Sequence, residues 1–335
     1  MEKRTLRGGL IGCGFFGQIQ LEAWRRMEGV EIVAAADSNQ ERAQTSALRG
    51  YATAEEMLER EELDFVDIAT RPDTHLPLLE LALTKNLAVI VQKPLAPSLG
   101  EAWEMVKLAQ GRRVMAHENW RWQPWHREMK RRLAAGDIGA PVAYHLTMTS
   151  NDGFGPTPYP NQPYFKDMPR LLMFESLIHP VDVARFWFGA IEKVFAVARR
   201  RNPGIAGEDR AVVTLVHAAL EGVVEGHRFA LPEPPGPAMG HALVEGEEGH
   251  LRVWANGHLY RGSELVWRNT VEAGYKGDSV KATQEHFVEC LREGKEFETN
   301  LMDYWESVLA IEAAYESVRS GRLVTLSEYA AGRAV

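Results

Sequence analysis

The sequence predicts an α/β protein of two domains, a doubly wound parallel sheet followed by an α+β domain on a mostly antiparallel sheet. Three observations predict it. Short β-branched runs alternate with helical patterns up to about residue 120, a glycine-rich turn joins the first such run to the first helix, and beyond Pro124 the rhythm changes to period-two alternation. A chain of 335 residues is also too long for one ordinary core. The change of rhythm divides it into residues 1–123 and 124–335.

In the first part the expected strands are Leu6–Ile11, Glu31–Ala36, Asp64–Ala69, Leu87–Val91 and Arg113–His117. Helical stretches lie between them near 16–28, 39–48, 54–60, 73–85 and 98–110. Two open with capping-box spacing, Thr53 with Glu56 and Ser98 with Glu101. In the second part Tyr144–Thr149 alternates apolar and polar, and further strands are expected at 191–199, 210–218, 222–229, 241–245 and 250–255. Leu220-Glu221-Gly222 and Gly246–Gly249 read as turns between them. Helices are expected near 279–293 and 302–320, the last carrying the stripe Tyr304, Val308, Ile311, Tyr315 and Val318 and returning towards the first domain.

Gly12-Cys13-Gly14-Phe15-Phe16-Gly17 is a G-x-G-x-x-G between strand and helix, with Asp37 twenty residues beyond at the end of the second strand. Gly12 makes the turn, Gly14 admits a pyrophosphate close to the backbone, and Gly17 packs helix on strand. The helix N-terminus offers unpaired N–H groups to the phosphates. Asp37 suits the adenine ribose hydroxyls and repels a 2′-phosphate, so NAD is expected ahead of NADP, with Arg42 near enough to keep the second open.

In an open α/β sheet ligands gather outside the carboxyl ends of the strands. Lys93, in Gln92-Lys93-Pro94, and Thr70–His75 stand at such ends. An ammonium there can hydrogen-bond a substrate hydroxyl. Farther on, Glu175, His179 and Asp182 fall at i, i+4 and i+7 and would share one face of a continuous helix. A histidine with a carboxylate one turn away is a workable general base. Pro180 demands that such a helix begin only just before it. Trp120 and Arg121 follow the last of these strands, Arg113–His117; Trp122 and Trp125 read as packing, and Gly207-Glu208-Asp209 as a turn. The proline-rich residues 151–170 suit a pocket wall, where Tyr159, Tyr164, Lys166 and Arg170 are within reach of substrate.

With 38 Lys+Arg against 46 Asp+Glu and no basic block, nucleic acid is a poor candidate partner and none is expected. No apolar run approaches the ~20 residues that cross a bilayer. The basic start MEKR is broken by glycines too early for a signal peptide. Two cysteines, Cys13 and Cys290, build neither a disulfide framework nor a zinc site, which points to a cytoplasmic protein. The eleven histidines supply no metal-ligand spacing, so no metal is expected.

GCGFFG with Asp37, TRPDTH, QKP and the E-x-x-x-H-x-x-D of Glu175–Asp182 together resemble the glucose–fructose oxidoreductase/inositol dehydrogenase/MocA family over nearly the whole chain. The resemblance implies an N-terminal Rossmann domain and a C-terminal α+β domain whose large, mostly antiparallel open sheet makes subunit contacts, hence a homodimer or homotetramer. It implies a lysine beside nicotinamide and substrate, matched by Lys93, and a catalytic histidine after an acidic residue, matched by His179 and Glu175. Gln92 stands where the family has glutamate and Glu175 where it has aspartate. Candidate catalytic residues are thus Lys93, His179 and Glu175. Candidate cofactor contacts are Gly12, Gly14, Phe15, Phe16, Gly17, Asp37, Ser38, Thr70, Arg71, Pro72, His75, Gln92, Lys93 and Arg121; candidate substrate contacts are Lys93, Arg121, Tyr164 and His179. The expected activity is NAD-dependent oxidation of a sugar, polyol, inositol or sugar-acid hydroxyl, with His179 taking the proton and Lys93 steadying the alkoxide. The alternatives are a non-redox sugar enzyme that keeps its NAD, or a silent NAD- or sugar-sensing regulator.

Overall fold

Apolar runs without alternation belong inside a sheet covered on both faces, and that is where the first part of the chain puts them. The computed structural model describes residues 4–46 and 49–333. Strands β1 (Leu6–Ile11), β2 (Val30–Ala36), β3 (Arg49–Tyr51), β4 (Phe65–Ile68), β5 (Ala88–Gln92) and β6 (Val114–His117) form one parallel sheet in the order β3-β2-β1-β4-β5-β6. Every residue of β4, β5 and β6 is buried. The order reverses between β1 and β4, so the carboxyl ends of these strands flank a topological switch point.

Helices α1 (Phe15–Arg25), α2 (Gln40–Ser46), α3 (Ala54–Arg60), α4 (His75–Thr84) and α5 (Leu99–Ala109) connect the strands. The helix expected at 39–48 is seen as α2, and its positions 47 and 48 lie outside the described residues. Both N-caps form: Thr53 Oγ1 accepts from the Glu56 N–H at 3.2 Å and Ser98 Oγ from the Glu101 N–H at 3.3 Å. β3 has only three residues, one of them glycine, and carries no apolar run by which it could be expected.

Contacts divide the chain into two compact units, one comprising the residues up to Asn119 with Asp278–Trp305, the other Trp120–Gly277 with Glu306 onwards. The first unit therefore includes later segments. Between Gly277 and Trp305 come helix α8 (Ser279–Glu293) and the start of a 20-residue helix, Leu301–Ser320. Phe287 packs at 5.4 Å from Phe65 and 6.5 Å from Trp24, ring centre to ring centre. Thr299 Oγ1 donates to the Ala116 carbonyl at 2.8 Å, and Tyr304 OH to Glu118 Oε2 at 3.1 Å.

In the second unit, nine strands form a sheet in the order β14-β13-β12-β11-β7-β10-β9-β8-β15. They are β7 (Pro141–Thr149), β8 (Lys193–Arg199), β9 (Arg210–Val216), β10 (Glu221–His227), β11 (Ala242–Gly246), β12 (Gly249–Val253), β13 (Leu259–Arg261), β14 (Glu264–Trp267) and β15 (Val324–Thr325). Only β7 and β10 run parallel; the other pairs are antiparallel. Alternate residues of β7, β9 and β10 are buried, so one face of the sheet is covered. The turn expected at Leu220–Gly222 is a correction: Glu221 and Gly222 open β10, and the glycine is needed because a Cβ there would lie 2.4 Å from the Tyr144 ring.

Helix α6 (Pro124–Ala134), not expected from sequence, begins with its proline in the first turn, where no N–H is missed. Helix α7 (Ile178–Phe188) lies mostly buried. The helix Leu301–Ser320 is α9, and α10 (Leu326–Ala331) follows β15. Of the stripe expected on α9, Tyr304, Val308 and Ile311 are buried, whereas Val318 is 39 % exposed near the helix end.

Candidate active site

Between β1 and α1 the chain turns through Gly12–Gly17, and the glycines there are sterically required. Gly12 has φ +96, and a Cβ on it would stand 2.8 Å from the Ala69 backbone. One on Gly17 would meet the Gly12 carbonyl oxygen at 2.1 Å. A Cβ on Gly14 would meet nothing within 4 Å, so that backbone edge is open to a ligand. The first turn of α1 has no acidic residue, and no side chain caps its start. Its N–H groups and positive dipole end are thus left to an anion. Phe15 is 44 % exposed, and Phe16 stands edge-on to His117 at 6.2 Å.

At the end of β2, Asp37 ties the loop to the sheet. Its Oδ2 accepts from the Cys13 N–H at 2.7 Å and its Oδ1 from the Asn39 N–H at 2.8 Å. Each carboxylate oxygen has a further lone pair with which to accept from a ribose hydroxyl. Ser38 is exposed beside it. Asp37→Ala should therefore raise the NAD concentration needed for half-saturation by about 10–100-fold, the loss of hydrogen bonds to a charged group. Titration of protein fluorescence with NADH checks this.

After β4 come Thr70, Arg71 and Pro72. The Thr74 hydroxyl donates to Thr70 Oγ1 at 2.7 Å, and Arg71 lies on the surface 3.6 Å from Asp73. His75 is fully buried, with Nδ1 3.0 Å from the Leu95 carbonyl and Nε2 3.2 Å from that of Thr70. Burial lowers its pKa, so the ring is neutral and donates through one nitrogen at a time. His75 thereby staples the loop after β4 to the loop after β5.

At the end of β5, the Gln92 side-chain oxygen accepts from the Lys93 N–H at 3.0 Å. Gln92 Nε2 is buried without a hydrogen-bond partner among the described residues. A buried donor in that condition fits a polar ligand at the carboxyl edge of the sheet. Lys93 itself is half-buried. The glycine cradle, the uncapped helix start, Asp37 and Gln92 are together able to hold a dinucleotide. Among the described residues no group of three His, Cys, Asp or Glu side chains could hold a metal ion.

The second unit carries the histidine. Leu172–Leu177 forms a π-helical turn, and α7 starts only at Ile178. The single α-helical face expected for Glu175, His179 and Asp182 is therefore a correction. The wider π turn inserts a residue and shifts register, as is frequent at functional sites. Pro180 falls in the first turn of α7, where its missing N–H costs nothing. Glu208, expected in a plain turn, instead caps this segment. Its carboxylate accepts from the N–H groups of Leu171 at 3.3 Å and Met173 at 3.0 Å, and from the Tyr315 hydroxyl at 2.5 Å.

Asp182 is completely buried and does not serve as a face-mate of Glu175. It accepts from Arg121 Nε at 2.7 Å and Nη2 at 2.6 Å and from Ser307 Oγ at 2.8 Å. Arg121, 4 % exposed, thus spends one edge of its guanidinium on this pair. In the 151–170 segment Tyr159 is a core residue, 1 % exposed and packed with Phe165, Leu171 and Ile205. Tyr164 is half-buried and its oxygen accepts from Gln162 Nε2 at 3.0 Å. Lys166 is exposed, and Arg170 pairs with Glu312.

Unexpected from the sequence is a stack of three rings. Trp120 lies 5.1 Å from His179 with 11° between the planes, and His126 lies 6.2 Å from Trp120 at 23°. His126 is 5 % exposed and lines a small cavity with His241, Leu146 and Val183; neither of its ring nitrogens has a partner among the described residues. Burial alone pushes its pKa down to about 3. Between pH 6.5 and 3 the unfolded chain takes up a proton that folded His126 refuses, so stability falls with falling pH. Going from pH 7 to 5 should cost the wild type about 2 kcal/mol more than His126→Gln, read from urea midpoints.

A family model described as the oxidoreductase family with an NAD-binding Rossmann fold matches residues 6–119. A second, the GFO/IDH/MocA C-terminal domain, matches residues 126–252. The chain is 36% identical over 345 residues to D-apiose dehydrogenase of Paraburkholderia graminis, covering 96% of this chain and 90% of that one. The D-apiose dehydrogenase of Rhizobium rhizogenes is 33% identical, covering 97% and 99%. Among solved structures, an oxidoreductase from Agrobacterium radiobacter in complex with NAD+, L-tartaric acid and magnesium matches with a TM-score of 0.88 at 31% identity, over 97% of this chain and 99% of that one.

Proposed function

Because the chain belongs to the GFO/IDH/MocA family of NAD-binding oxidoreductases, as its motifs implied, we propose that it is an NAD-dependent dehydrogenase of a sugar hydroxyl, with D-apiose the leading substrate. The observation that carries the substrate is the 36% identity to D-apiose dehydrogenase over 96% of the chain. Bound NAD supplies the hydride acceptor. Gly12, Gly14, Gly17 and the start of α1 hold its phosphates, and Asp37 its adenine ribose.

The remaining chemistry falls to side chains of this protein. His179 takes the proton of the reacting hydroxyl, Glu175 orients the imidazole, and the Lys93 ammonium stabilises negative charge as it develops on that oxygen. Gln92 is neutral where the family has glutamate. The near-ultraviolet absorbance of NADH tests the reading, with NAD and NADP separately, over D-apiose, inositols, levoglucosan and L-tartrate. Turnover with NAD and D-apiose supports it. Turnover confined to another class would change the substrate, and silence across the panel would remove the reading.

We infer also that copies of the chain associate through the second sheet. On its less covered face Phe195, Thr214, Val223, His145 and Leu243 lie in one row across five strands. Phe195 and Val197 are 38% and 43% exposed there. No described helix is long and apolar enough to cross a membrane. The two cysteines are free and buried, which supports a cytoplasmic place of work.

A further inference from the structure

Glu175 sits in a π-helical turn, half-buried, on a side chain with three rotatable bonds. A carboxylate that is to orient a histidine must itself be held, and this unit contains a chain of contacts that ends on it. Ser176 is 2 % exposed, and its hydroxyl donates to Glu175 Oε2 at 3.3 Å. A serine hydroxyl has one proton, so its direction depends on what faces the oxygen. Here Arg228 Nη1 points at Ser176 Oγ from 3.3 Å. An N–H aimed at that oxygen turns the hydroxyl proton away from itself and towards the carboxylate.

Arg228 is itself fixed. Its side chain is 9% exposed, with Nε 3.1 Å from Asp152 Oδ1 and Nη2 3.1 Å from Asp152 Oδ2. The Nη2 contact is a hydrogen bond and the Nε contact is an ion-pair approach only, so charge and one N–H hold the guanidinium on this carboxylate. Asp152 also accepts from Ser150 Oγ at 2.6 Å. The guanidinium lies 5.2 Å from the Tyr159 ring and 5.7 Å from that of Phe165. A Cβ on Gly153 would stand 2.5 Å from Arg228 Cβ, so the loop after β7 and the residue after β10 are held backbone to backbone. Tyr275 completes the surroundings. Burial, then the charge of Glu175, push its hydroxyl up to about 12, so it remains protonated near that carboxylate.

We propose that Ser176 and Arg228 are positioning residues for the reaction, the Asp152–Arg228 pair setting the Ser176 hydroxyl and the hydroxyl setting Glu175. This rests on the reading that Glu175 serves His179. It assigns a use to two residues that touch neither proton nor hydride. At 3.3 Å both bonds are long, so the expected effect is moderate.

The test is a double-mutant cycle on kcat between Ser176→Ala and Glu175→Gln, with the sugar giving the fastest NADH formation in the panel above. Ser176→Ala should lower kcat about tenfold, with NADH affinity and unfolding midpoint unchanged, and should cost nothing further in the Glu175→Gln background. Arg228→Lys, which keeps the charge but loses the guanidinium that reaches Ser176 and Asp152 at once, should lower kcat in the same way. Losses that multiply, or a silent Ser176→Ala, would overturn the proposal while leaving the dehydrogenase reading intact. A silent Glu175→Gln would remove the role of Glu175 and this proposal with it.

Discussion

Lys93→Met should lower kcat by about 10²–10⁴-fold while leaving NADH affinity within about threefold of wild type. Methionine keeps much of the length and apolar stem of lysine and removes only the ammonium. The lost term is stabilisation of charge that appears on the substrate oxygen in the transition state, so it falls on kcat rather than on cofactor binding. In the proposed site NADH would be held instead by the glycine turn with its open Gly14 edge, by the uncapped start of α1 and by Asp37 at the end of β2. Fluorescence titration with NADH and steady-state turnover separate the two quantities. A variant that turned over at the wild-type rate would remove Lys93 from the chemistry.

Asp182→Ala should destabilise the protein by about 3–5 kcal/mol, because it leaves the Arg121 guanidinium buried without its carboxylate. Burial by itself would raise the Asp182 pKa, but the charge and paired hydrogen bonds of Arg121, with help from Arg185 and Ser307, hold the carboxyl below its usual range. The sign follows from that depression. The contribution of Asp182 is fully present above about pH 4, the ordinary value, and is lost as pH falls through the lower folded one. Urea unfolding of the variant at pH 7 reads the loss. Combining it with Arg121→Met should restore part of the stability, since Arg121 then leaves no orphan charge, while Arg185, 3.7 Å from the lost carboxylate, retains the rest of the penalty.

The first unit was legible in the sequence because its signals are local. Glycines, a strand before them, a helix after them and an acid twenty residues on define the phosphate turn within 40 residues, and all five expected strands of that sheet are present. The missed β3, Arg49-Gly50-Tyr51, has no run of apolar residues to announce it. β13 and β14, with three and four residues, are too short for a period-two alternation to stand out. Helix α6 was hidden by Pro124 and the tryptophans around its start.

At the histidine the sequence showed the residue types and misread their geometry. A spacing of i, i+4, i+7 means one face only in a regular α-helix, and the π turn at Leu172–Leu177 breaks that premise. Pro180 was the visible clue, since it required a helix beginning at about Ile178. Arg228 gave no clue. It lies 52 positions from Ser176 and is brought there by the packing of the π turn on the end of β10, where Gly226 meets Leu177. Trp120 against His179 is likewise a contact across 59 positions that no periodicity encodes.

The most direct measurement follows the hydride. Substrate carrying deuterium on the reacting CH–OH carbon, D-apiose first, is incubated with the protein and NAD, and the nicotinamide product is analysed by mass spectrometry. The account predicts reduced nicotinamide carrying one deuterium in place of hydrogen, formed in step with the oxidised sugar. A sugar converted while the NAD pool stays unlabelled and oxidised would contradict it, and would make the cofactor a resident of a non-redox site.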